Sequence, residues 1–127
     1  MKYLLILCVV FLAACNNESK ERKEELEKKE TIAVNTNGET LFKANCASCH
    51  KPNEKYVGPA LQGVANRWES RELLYAFVRN SQEIISRNAY AKKLYDEYNR
   101  SPMLPYPHLA DDDIKDILVY CETYMAP

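Results

Sequence analysis

Residues Cys46-Ala47-Ser48-Cys49-His50 put two thiols three positions apart, with an imidazole directly behind the second. Three kinds of chemistry use such a cluster: a dithiol redox pair, half of a zinc site, or covalent attachment of a haem. With only five cysteines and two histidines in the chain, accident explains the arrangement poorly. A zinc site needs four nitrogen or sulfur ligands, commonly from two such knuckles, and only Cys121 and His108 are left to complete one. A thioredoxin-type pair follows a strand in a βαβ pattern, and no convincing strand run exists here. Covalent haem fits the spacing mechanistically. On a helix, residues i and i+3 face the same way, so both sulfurs can add to the two vinyl groups of one porphyrin edge. His50 then projects beneath the ring as an iron ligand.

Four segments of helical periodicity are available to position that cluster. Glu39 to Cys49 aligns Leu41 and Phe42 with Cys46 and Cys49. Ser70 is a natural N-cap for a helix whose Leu73, Leu74, Phe77 and Val78 share a face. Tyr90, Leu94 and Tyr98 recur every four residues. Ile114, Ile117, Leu118, Cys121 and Met125 form the stripe of a C-terminal helix. Between them, "KPNEKYVGPALQG" and "NRSPMLPYPHLA" carry Pro and Gly and cannot continue a helix. Long loops in so small a domain usually carry function. The expected class is all-α.

The chain of 127 residues has room for one small domain plus appendages. Its formal net charge of −1 gives no reason to expect a nucleic acid partner. Residues 1–14 read as a signal peptide, with one lysine ahead of an apolar run too short to span a membrane. Its end, Leu12-Ala13-Ala14-Cys15, resembles the lipobox of bacterial lipoproteins. That resemblance implies that Cys15 is acylated and becomes the first residue of the mature chain, while Cys8 leaves with the peptide. Export would also oxidise paired cysteines unless something else claims them. From Glu18 to Glu30, 11 of 13 residues are charged, a composition that forms no core. Residues 15–37 are therefore expected to be a lipidated tether, a solvated helix or a disordered segment. The domain is expected to begin at Gly38 and to run over 38–127, a size that folds alone but gains from a large apolar cofactor.

Over Gly38 to Tyr124 the chain resembles the small class I, single-haem cytochromes c. "GETLFKANCASCH" is similar to their N-terminal helix and haem motif, and "GPALQGVANRW" to the loop after the proximal histidine. "MLPYPHLADDDIKDILVY" is similar to their distal loop and last helix. The resemblance implies a fold of about four helices around one covalently bound haem c. It implies thioethers at Cys46 and Cys49, iron ligands at His50 and Met103, and a hydrogen bond from the His50 ring to the Pro59 carbonyl. Two positions depart from the family pattern. Leu104 separates Met103 from Pro105, and Ala110 replaces the usual Ser or Thr cap, so the cap is expected to move to Asp111.

Other residues have weaker assignments. His108 is the rival distal ligand, and Met125 is expected to pack or fray at the terminus. Cys121 reads as a buried hydrophobe. By family analogy, Arg67 and Trp68 could reach the haem propionates. Asp111 to Asp113 complement a helix dipole. Phe42 and Tyr120 resemble the aromatic pair where the first and last helices cross.

A His/Met-ligated iron has no open position, so the expected function is electron carriage rather than enzymatic turnover. The expected setting is the outer side of a bacterial cell membrane, periplasmic or extracytoplasmic, within a respiratory chain. Expected partners are membrane lipid at Cys15 and redox proteins such as a quinol-cytochrome c reductase, a terminal oxidase or another exported reductase. The alternatives are a haem-based gas sensor and a fixed haem subunit of a larger oxidoreductase.

Overall fold

The computed structural model describes residues 20–30 and 36–125. The expected signal peptide over 1–14 and the acylated Cys15 lie outside the described residues. Two compact units divide the chain, Met1–Ala33 and Val34–Pro127.

In the first unit, residues 20–30 form a helix whose side chains are all exposed. Lys20 and Glu24 pair at 4.0 Å, one turn apart. With charge all round, the helix has no apolar stripe and depends on such pairs, each worth about 0.2 to 0.5 kcal/mol.

The regular elements of the second unit's described residues are all helical, as the periodicity predicts, and include five α-helices joined by long loops. Helix α1 spans 36–45 and ends in a turn over 46–49. It begins two residues before Gly38. Gly38 is buried where α1 crosses the last helix, and a Cβ there would collide with the Asp116 carbonyl. At the same crossing the Phe42 and Tyr120 rings lie 5.5 Å apart, the expected aromatic pair. A short 3₁₀ turn, Val64–Arg67, follows the first long loop.

Helices α2 (Arg71–Arg79), α3 (Ser81–Arg87) and α4 (Ala89–Glu97) run nearly end to end. Ser70 caps α2, its hydroxyl accepting from the Leu73 N–H at 3.2 Å, as expected. Single asparagines separate the three helices. The Asn80 N–H bonds the Ala76 carbonyl while its side chain caps α3, and Asn88 does the same between α3 and α4. Each asparagine ends one helix and starts the next, because its short amide both tolerates extended backbone and replaces a missing intrahelical acceptor. Helix α3 is absent from the sequence expectation. It has seven residues, and Ile84 is its one buried apolar side chain.

Helix α5 is Asp111–Thr123. Its cap corrects the expectation at Asp111: Ala110 is the N-cap residue, and its N–H donates to the Asp113 carboxylate at 2.8 Å. A carboxylate in the first turn thus does half of what a hydroxyl cap would do. Ile114, Ile117 and Cys121 are fully buried along the expected stripe. Met125 is not part of that stripe. The helix stops before it, and its side chain is 88% exposed.

Trp68 is a core residue, its ring tilted against Phe77 at 4.8 Å and edge-on to Tyr90 at 5.2 Å. Among the described residues, no helix is long and apolar enough to cross a membrane.

Candidate functional site

The last turn of α1 delivers the cysteines. The Cys46 N–H bonds the Phe42 carbonyl at 2.8 Å and the His50 N–H bonds the Cys46 carbonyl at 2.9 Å. Helical geometry therefore persists past residue 45, which keeps Cys46 and Cys49 on one side. Cys46 is buried and Cys49 exposed, both as free thiols. Burial foremost, and then the neighbouring Cys49, pushes the Cys46 thiol up to about 11, so it is neutral at neutral pH.

The chain after His50 folds back over its ring. Gly58 N–H bonds the Cys49 carbonyl at 2.8 Å, and the next residue, Pro59, offers its carbonyl to His50 Nδ1 at 2.9 Å. A carbonyl can only accept, so Nδ1 carries the proton and Nε2 keeps its lone pair for a metal. Burial holds the imidazole below its ordinary pKa, opposed by the Pro59 bond, which favours the neutral form a ligand must have. Gly58 lies flat on the ring. A Cβ at that position would meet the imidazole, with Nδ1 only 2.8 Å away. The loop beyond is held by Arg67, which donates to the Gln62 carbonyl at 3.0 Å and the Ala60 carbonyl at 2.5 Å. Glu122 of α5 anchors it further by accepting from the Gly63 N–H at 2.7 Å.

On the other side, α4 ends at Glu97, where the Arg100 N–H reaches back to the Tyr95 carbonyl at 2.8 Å. Asn99 and Arg100 take left-handed φ values of 57° and 56°, turning the chain into a strap that carries Met103. Tyr106 pins the strap's far end twice. Its N–H bonds the Val78 carbonyl at 3.2 Å and its hydroxyl bonds the Asn45 carbonyl, just before Cys46, at 2.5 Å. Arg79 then holds the Leu109 carbonyl at 2.9 Å and pairs with Asp111.

Between the two sides lies a cavity of about 820 Å³, part of it open to solvent. Cys46, Cys49, His50 and Met103 all line it, with Phe77, Ile85, Leu94 and Tyr98 among its largely apolar wall. The donor set fits a covalent haem: two sulfurs on one side, a neutral imidazole with a free Nε2, and a thioether lining the same space.

The other sequence candidates do not join that set. His108 is exposed, its ring 6.1 Å from that of Tyr106, and is not among the lining residues. Cys121 is sealed in the core, its thiol pushed up to about 12 by burial. Arg67 spends its guanidinium on loop carbonyls, and neither it nor Trp68 lines the cavity. Among the described residues, no group of three or more His, Cys, Asp or Glu side chains is arranged to hold a metal ion. Sequence reasoning did not single out Gly58, Tyr106 or Ser81. The first was detectable, since a glycine directly before the expected acceptor Pro59 signals close backbone approach.

The family model for cytochrome c matches residues 35–124. Among solved structures, cytochrome c from Rhodothermus marinus is 30% identical with a TM-score of 0.60, the match covering 71% of this chain and 75% of that one. An engineered variant of that cytochrome, Rma TDE, is also 30% identical with a TM-score of 0.58, over 71% of this chain and 76% of that one. The same variant bound to a carbene intermediate gives a TM-score of 0.56 at 30% identity, over 71% and 75%. A comparison with curated proteins found no match. A family match over most of the chain, joined to a CxxCH cluster lining the cavity, means that the chain belongs to the cytochrome c family as a small, single-haem member with covalently bound haem c.

Proposed function

We propose that the protein is a membrane-tethered electron carrier of a bacterial respiratory chain, with its iron held by His50 and Met103. The observation that carries this reading is the presence of both side chains on one cavity wall set, with His108 outside it. Bound there, the haem supplies a one-electron iron couple. Cys46 and Cys49 hold the group through thioethers. Pro59 fixes the His50 tautomer and raises its basicity as a ligand. Met103 would be the second iron ligand, and a thioether ligand would favour the reduced state and raise the potential. Phe77, Ile85 and Leu94 exclude water from the wall. Val57 and Leu104 line the same cavity and are exposed, 53% and 67%, which offers a redox partner an apolar rim to dock on briefly.

The tether belongs to the same reading. Lipid on Cys15 anchors the chain outside the cytoplasm, and the exposed charged helix 20–30, about 16 Å long, serves as a solvated spacer. Exchange partners in that setting are a quinol-cytochrome c reductase, a terminal oxidase or another exported reductase.

Two substitutions test the ligand set. Met103→Ala should keep haem on the protein, lower its potential and let the reduced form bind carbon monoxide, while His108→Ala should keep the haem and leave both the potential and the closed site unchanged. If His108→Ala alters the low-spin spectrum and Met103→Ala does not, the distal ligand is His108. For the anchor, wild type should sediment with membranes and Cys15→Ser should not. Wild type recovered wholly as free exported protein would sink the lipoprotein reading.

A further inference from the structure

Ser81 is the buried polar residue of the described core, 1% exposed, and holding the haem gives it no task. It begins α3, but Asn80 already caps that helix, and alanine has the higher helix propensity. Its hydroxyl points out of the helix instead, donating to the Met103 carbonyl at 2.6 Å, 22 positions along the chain. The strap that receives this bond is poor in other ties. Pro102 and Pro105 have no N–H to give. Ser101 N–H bonds the Tyr98 carbonyl at 3.1 Å and Tyr106 N–H the Val78 carbonyl at 3.2 Å. Met103 lies between those two anchors, entered through two left-handed residues, Asn99 and Arg100.

We propose that Ser81 is a positioning residue for the distal ligand, holding the strap's backbone at Met103 so that its thioether stays on the cavity and resists displacement by an incoming ligand. The role rests on Met103 being that ligand. An external imidazole enters only when the iron–sulfur bond breaks and an iron–nitrogen bond forms, with no change in oxidation state. The strap must give way at Met103 for this exchange, and the Ser81 bond opposes it. Removing the hydroxyl also leaves a part-buried carbonyl without its donor in the closed form.

The test is an optical titration of the oxidised, full-length holoprotein with imidazole. Ser81→Ala should bind it about 3- to 10-fold more tightly than wild type, because the open strap becomes more populated. Ser86→Ala is the control. That hydroxyl lies on the same helix but bonds the Glu83 carbonyl at 2.6 Å, and its loss should leave the affinity as in wild type. If Ser81→Ala yields too little protein, Ser81→Cys keeps the size with a weak donor and should shift the affinity the same way. Met103→Ala, titrated in parallel, should bind imidazole with no thioether to displace. Wild-type affinity in the Ser81 variants, even with a lowered denaturation midpoint, would overturn the positioning role while an open Met103→Ala site leaves the ligand assignment standing. If Met103→Ala matches wild type in spectrum and affinity, the ligand assignment falls and the role of Ser81 falls with it.

Discussion

A Cβ on Gly58 would occupy the space of the His50 ring, so the glycine sets how closely the loop covers that imidazole. Gly58→Ala should tilt the imidazole away from the Pro59 carbonyl, weakening both the 2.9 Å bond and the orientation of Nε2. The expected outcome is a holoprotein with part of its low-spin spectrum lost and a lower denaturation midpoint, the price of overpacking being about 1 to 3 kcal/mol. An unchanged spectrum and midpoint would show that the loop yields freely. Cys46, Cys49 and His50 were legible in the sequence because attachment of one haem through two vinyl groups fixes the spacing of a CxxCH motif along a single helix turn. The Ser81 to Met103 and Tyr106 to Asn45 bonds were not legible. They join residues 22 and 61 positions apart, and no local pattern encodes a partner at such a distance.

At the scale of elements, the α2–α3–α4 run depends on two asparagines that each terminate one helix and cap the next. Asn80→Ala removes the α3 cap beside Ser81 and should cost about 0.5 to 2 kcal/mol, measurable as a fall in denaturant midpoint at constant slope. A loss under a few tenths of a kcal/mol would mean that tertiary packing alone holds α3. The four longer helices, α1, α2, α4 and α5, were legible from periodicity and from the Ser70 cap. Helix α3 was hidden because seven residues with one buried apolar side chain carry almost no period, although Asn80-Ser81-Gln82-Glu83 has a cap residue three before an acidic one. Ala110 misled for a related reason: the stabilising group at that terminus sits at Asp113, inside the helix, rather than at the cap. Gly38 was placed at the domain edge, but glycine signals close helix crossings as well as turns. Here the Asp116 carbonyl of α5 is what demands it.

At the scale of the whole molecule, the family and its cofactor were legible because the haem motif, the Gly-Pro loop and the methionine strap occur in the expected order over residues 35–124. What the chain builds around them is a cavity flanked on both sides, by a loop held at His50 by Pro59, Arg67 and Glu122, and by a strap held by Ser81, Tyr106 and Arg79. Closure is what separates a carrier from a binder, since a sixth ligand that stays in place leaves a diatomic gas nowhere to bind. The decisive measurement is the optical spectrum of the reduced, full-length wild-type protein at neutral pH before and after saturation with carbon monoxide. A closed His50/Met103 site predicts a low-spin spectrum that carbon monoxide leaves unchanged; prompt and complete conversion to a carbon monoxide adduct would contradict it and make the protein a ligand-binding haem protein instead.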